Sequence, residues 1–237
     1  MKTWIVIIPV TLFFLISCAT PSRQARQNEA KAHFKLAISH LERGQMQAAF
    51  VELQKSVELK PGNKRVHNAL GIVYRYFGNT KKAEEAFKTA ISIDPQYSEA
   101  YNNLGVVYMR TRQWDKAIEA FRKALDNLQY PTPETAFTNL GKVYYRKGEF
   151  DKSIRAYKKA INRAPGYNAP YYGLALCYNA LARYGDASEA LTEAIKLDSV
   201  FKGDREKAEK ELIRQKLKAV DMDEEQDYIN LLEILRY

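Results

Sequence analysis

Residues 101–125 read Tyr-Asn-Asn-Leu-Gly-Val-Val-Tyr-Met-Arg-Thr-Arg-Gln-Trp-Asp-Lys-Ala-Ile-Glu-Ala-Phe-Arg-Lys-Ala-Leu. A leucine and a small residue, Leu104-Gly105, are followed three positions on by Tyr108. Later come Ala117, then Phe121 four further on, then Ala124 three further again. Spacings of three and four place residues on one face of an α-helix. Small residues at such slots let two helices approach closely, and the large residue between them fills the remaining gap.

Working outward, the same pattern recurs. Leu36-Ala37, Leu70-Gly71, Leu140-Gly141 and Leu174-Ala175 match Leu104-Gly105, at successive spacings of 34, 34, 36 and 34 residues. The tyrosine slot is filled by His40, Tyr74, Tyr144 and Tyr178 in the other units. The large slot holds Leu53, Phe87, Tyr157 and Leu191, flanked by Ala49 and Ser56, Ala83 and Ala90, Ser153 and Ala160, Ala187 and Ala194. Pro61, Pro95, Pro131 and Pro165 close four of the five units, since proline lacks the N–H that continues a helix. Glycine or asparagine is expected at the turn inside each unit, at Gly44, Gly78-Asn79, Gly148 and Gly185. A unit of this kind cannot bury its apolar face alone, so the stack is the folding unit.

These slots resemble the tetratricopeptide (TPR) repeat over about residues 30–200. The resemblance implies an all-α superhelical solenoid of antiparallel helix pairs, with units at 30–63, 64–97, 98–133, 134–167 and 168–201. Capping helices over 202–237 complete it. The stretch Asp126-Asn-Leu-Gln-Tyr-Pro-Thr-Pro133 is two residues longer than the regular junction and predicts a wider connection there. From Asp204 to Val220 the chain reads as a charged helix that solvates the end of the stack. Asp223 with Gln226 resembles a capping box for a last helix carrying Tyr228, Leu231, Leu232 and Leu235 on one face. That helix packs as a degenerate sixth unit or docks a partner.

The chain begins with Lys2 and an apolar run from Trp4 to Ile16, too short for a helix of about 20 residues that spans a bilayer. It reads as a secretory signal over 1–17. The run ends Leu15-Ile16-Ser17-Cys18, which resembles the bacterial lipobox. The resemblance implies cleavage before Cys18, lipid on its thiol and amine, and, with Ala19 rather than Asp following, an outer-membrane address. Several acyl chains anchor stably where one binds only marginally. Residues 18–29 then form the lipidated cysteine and a polar tether, reaching roughly 30 Å at about 3.3 Å per residue.

The net charge is +9, and +8 without Lys2. Basic residues are scattered and paired with acids, as in Lys81-Lys82-Ala83-Glu84-Glu85, so solvated helix faces are expected and nucleic acid is not. No HExxH, CxxC or phosphate-loop motif occurs. His33, His40 and His67 fall in packing slots, and Cys177 lies between Leu176 and Tyr178 with no histidine nearby. The expectation is a protein-binding chain without catalysis, metal, cofactor or small-molecule substrate.

In the TPR architecture the first helix of each unit lines a concave groove. By register, the outward slots are Phe34, Ile38 and Leu41 in unit one and Arg65, Asn68, Arg75 and Tyr76 in unit two. Unit three offers Asn102 and Arg110, and unit four Thr138, Lys142, Tyr145 and Arg146. The unit-one stripe is apolar where solvent is expected, which marks either a binding site or a face covered by the tether or the last helix. The middle of the groove is basic, with no acid at these slots, and suits a segment with acidic groups.

The lipobox, short tether, five or six units and Tyr130-Pro-Thr-Pro133 junction followed by Thr138-Asn-Leu-Gly141 resemble the type IV pilus pilotin family. That resemblance implies a lipoprotein that helps an outer-membrane secretin reach its membrane and assemble as a multimer. The alternative is an envelope scaffold that gathers peptidoglycan hydrolases or proteases.

Overall fold

The computed structural model describes residues 22–237. Cys18, the secretory signal and the start of the tether lie outside the described residues. Among the described residues twelve helices follow in order: α1 (Arg23–Glu42), α2 (Met46–Leu59), α3 (Lys64–Tyr76), α4 (Thr80–Ile93), α5 (Ser98–Arg110) and α6 (Trp114–Asp126). Then come α7 (Pro133–Arg146), α8 (Phe150–Arg163), α9 (Ala169–Ala180), α10 (Tyr184–Leu197), α11 (Arg205–Lys216) and α12 (Met222–Ile234). They form five antiparallel pairs and a terminal pair, in the expected register. Each odd helix is the first, A, helix of its pair and each even one the second, B, helix.

Each small slot does what its size implies. A Cβ built on Gly71 would lie 2.5 Å from the Phe87 ring, on Gly105 2.6 Å from Phe121, and on Gly141 2.6 Å from Tyr157. The two units with alanine at this slot, Ala37 and Ala175, carry the smaller Leu53 and Leu191 where the other three carry aromatics, and all four are buried. Volume is thus conserved across each pair, as close packing requires.

The A helices touch in series, α3 on α5, α5 on α7 and α7 on α9, more closely than the B helices approach each other. The A helices therefore line the inner side of the curve. Two asparagine bonds run along that side. Asn103 donates to Asn68 at 3.0 Å, and Asn139 donates to Asn102 at 3.1 Å.

Three details differ from expectation. The helix of unit one begins at Arg23, with Ser22 accepting from the Ala25 N–H, so most of the expected tether is helical. Gly44, Gly78 and Gly148 take positive φ at the A-to-B turns, but Gly185 does not; Ala182 turns unit five at φ 56° and Arg112 unit three at φ 55°. The N-cap of α12 is Asp221, not Asp223: its carboxylate accepts from the Glu224 N–H at 2.8 Å. In the long junction Tyr130 is buried with Ala124 and Ala136 between units three and four, so the two extra residues provide a plug as well as a wider connection.

Candidate protein-binding groove

The last helix decides the geometry of the groove. α12 packs on α9, α10 and α11, burying Leu231 and Ile234, with Tyr228, Leu232 and Leu235 half-buried around them. Its acidic side crosses the inner face of the stack. The Arg146 guanidinium of α7 donates through both terminal nitrogens to the Asp227 carboxylate, one bond at 2.8 Å. Arg112, at the unit-three turn, pairs with Asp223 at 2.6 Å. Between α12 and the A helices of units three to five lies a cavity of about 650 Å³. Lys142, Tyr145, Tyr172 and Leu176 line it from the stack, and Tyr228 and Leu231 from α12.

The electrostatics follow from this enclosure. Burial would lower the pKa of Arg146, but the Asp227 carboxylate more than offsets it and the net shift is upward. Lys142 lines the cavity and is exposed to solvent. Even so, its enclosed surroundings lower its pKa, with Arg146 adding to the effect and Asp227 opposing it. Burial pushes the Tyr145 hydroxyl up to about 12.

The predicted groove residues divide into three groups. Arg75, Tyr76 and Arg110 lie along the open part of the inner face, with Tyr76 64% exposed. Lys142, Tyr145 and Arg146 are roofed by α12. The others serve the fold: Asn68 and Asn102 are buried in the asparagine bonds, and the buried Thr138 donates to the Glu134 carbonyl at 2.7 Å.

The apolar stripe of unit one is corrected. Phe34 is buried in a cluster with Val66, Leu70 and Val73, and Arg65 lies over its ring at 5.1 Å. Ile38 and Leu41 are half-buried on the same cluster. The stripe is apolar because unit two packs on it. The exposed apolar residues of unit one are instead Leu36, at 47%, and Val51. Leu36 holds the slot at which Leu70, Leu104, Leu140 and Leu174 are buried. Among the described residues, no helix pair precedes α1 to cover it.

The histidines do not converge. His33 bonds Glu52 at 2.6 Å, His40 bonds Gln45 and His67 bonds the Pro61 carbonyl. Among the described residues no group of three or more metal-ligating side chains gathers. Cys177 is buried, its thiol donating to Ser153 at 3.1 Å, and burial raises its pKa to about 12.

The TPR-repeat family model matches residues 73–111. A model described as the C-terminal domain of cilia and flagella-associated protein 70 matches residues 97–202. The chain folds as a TPR-like solenoid. No curated protein matches this TPR chain in sequence. Solved structures match it in fold. PilW, described as a widely conserved type IV pilus biogenesis factor, has a TM-score of 0.70 at 22% identity, covering 85% of this chain and 90% of PilW. PilF from Pseudomonas aeruginosa has 0.66 at 22% identity, covering 86% of this chain and 97% of PilF. MamA has 0.59 at 25% identity over 72% of this chain and 92% of MamA. TPR domains mediate protein–protein interaction.

Proposed function

We propose that the protein is a lipid-anchored factor of type IV pilus biogenesis at the outer membrane, holding a segment of the pilus secretin while the secretin localises and assembles. The carrying observation is the groove: Arg75 and Arg110 stand on its open part with no ion-pair partner among the described residues, beside arginines that acids already hold. The lipobox ending at Cys18, the Tyr130 junction and the fold shared with PilW and PilF over most of each chain support the pilus setting. The lipid on Cys18 supplies the membrane attachment, and the stack supplies binding rather than catalysis.

The test is a strain lacking the protein. Heat-resistant secretin multimers, seen on a gel, and twitching motility are both expected to be lost and to return with the wild-type chain. Normal multimers in the deletion strain would overturn the pilus reading. In-cell crosslinking then distinguishes the envelope scaffold, which would yield several unrelated hydrolases or proteases rather than the secretin.

A further inference from the structure

The groove's own occupant shows what it accepts. α12 presents Asp223 and Asp227 one helical turn apart, to Arg112 and Arg146, with Tyr228 and Leu231 on its apolar side. Arg110 holds in unit three the slot that Arg146 holds in unit four, two positions before each A-to-B turn glycine or its equivalent. Yet neither Arg110 nor Arg75 has a carboxylate within ion-pair distance among the described residues. The Arg75 Nε is buried with no hydrogen-bond acceptor. Burial, and after it the like charge of Arg110, lowers the Arg75 pKa, so the two guanidiniums stand near enough to repel. Arg110 and Arg112 line the cavity under α12, so this stretch continues the surface that α12 covers. Ile72 and Val106, half-buried, stand there at the slot of Lys142 and Leu176.

We propose that Arg75 and Arg110 bind an acidic amphipathic helix of a partner protein, laid end to end with α12 along the open half of the groove. Carboxylates one turn apart on that helix face the two guanidiniums, and its apolar side lies on Ile72, Val106 and Met109. This rests on the groove being the protein-binding surface and names the chemistry of what enters it. A charged donor and a carboxylate make a strong, short hydrogen bond, and two of them fix the register of the incoming helix.

The probe is a fluorescein-labelled synthetic peptide with the sequence of residues 221–237, added to the full chain and followed by fluorescence anisotropy. Binding is expected, weakening as salt is raised. Arg110→Ala and Arg75→Ala are each expected to weaken it roughly tenfold, the loss of one charge-assisted bond. Arg110→Lys is expected to keep part of it, and a peptide with Asn at the positions of Asp223 and Asp227 to lose it. Hydrogen exchange is expected to leave the amides of α12 as protected with peptide as without. Absence of binding, or binding indifferent to Arg75 and Arg110, would overturn the proposal. So would loss of α12 protection, which would mean that the peptide, or the α12 of a second copy, had replaced α12 in its own seat. The peptide reads groove chemistry in solution and the secretin gel reads the cellular role, so either can fail alone.

Discussion

Asp227 of α12 closes a two-bond ion pair on Arg146 of α7, 81 residues earlier in the chain. The pair pins the C-terminal helix across the inner face of the stack. It makes an apparently open basic groove into one that is half occupied by its own chain. Both side chains keep about a fifth to a quarter of their surface in water. They stand between the exposed pairs that contribute little and the buried pairs whose disruption leaves an uncompensated charge.

Asp227→Asn is therefore expected to cost about 1–3 kcal/mol of α12 docking. The effect should be local: the amides of α12 exchange faster while those of α3 to α6 keep their protection. A uniform loss of protection across the stack would show that α12 is needed for the whole solenoid.

Gly105→Ala is expected to destabilise by about 1–3 kcal/mol, because its Cβ would meet a buried aromatic ring that cannot swing away. Phe121→Leu in the same chain should recover part of that loss, reproducing the alanine–leucine pairing of units one and five. Lys142→Ala, by contrast, should change the melting point little. Denaturation melts of the three variants and the double variant decide it; strict additivity of Gly105→Ala and Phe121→Leu would mean that the two side chains do not share the space.

Cys177 is expected to resist thiol reagents. Burial raises its pKa to about 12, so at pH 8 the thiol is neutral, and the reactive thiolate is scarce as well as inaccessible. Alkylation followed by mass spectrometry should label it only after denaturant is added. Rapid labelling of the native chain would contradict the packing of unit five.

Glu52 accepts from Lys55 at 2.8 Å and bonds His33 at 2.6 Å. Lys55 first, then His33, hold its pKa below the ordinary value of 4.5 against the opposing effect of burial. A carboxylate whose folded pKa is depressed contributes stability that is present above its unfolded pKa and lost as pH falls through the folded one. The melting temperature of the wild type should thus fall more steeply below pH 4.5 than that of Glu52→Gln. Parallel curves would show that the pairing does not matter in solution.

Cys18→Ser is expected to abolish palmitate labelling and leave the chain soluble or unprocessed. Wild-type protein that takes up no palmitate and stays in the soluble fraction would remove the membrane address from the proposed role.

The repeat was legible because its causes are local and recur. A small residue, a large one and a proline at constant offsets report one helix pair, and five copies in register report a stack. The helix pairs and the glycine–aromatic contacts could be read from such offsets, but the start of unit one could not, since α1 begins at Arg23 rather than at 30. Turn geometry was less legible. Gly185 stands one position past the start of α10, while Arg112 and Ala182 accept left-handed backbone without glycine's freedom, because the i→i−3 and i→i−5 bonds closing each turn hold them there.

What no offset could supply was which surfaces the stack hides. Phe34, Ile38 and Leu41 sit at outward slots by register, and only the approach of α3 puts Phe34 under Arg65 and out of solvent. Arg146 and Asp227 belong to different units, and nothing in either one's neighbourhood in sequence marks the other. The sequence by itself determined the helices, their pairing and the charge that lines the groove, since these depend on residues within one unit and the next. The seat of α12, and with it which half of the groove stays open, depends on contacts between segments far apart in the chain. Those were decided only when the accumulated curve of the stack brought α12 across its inner face.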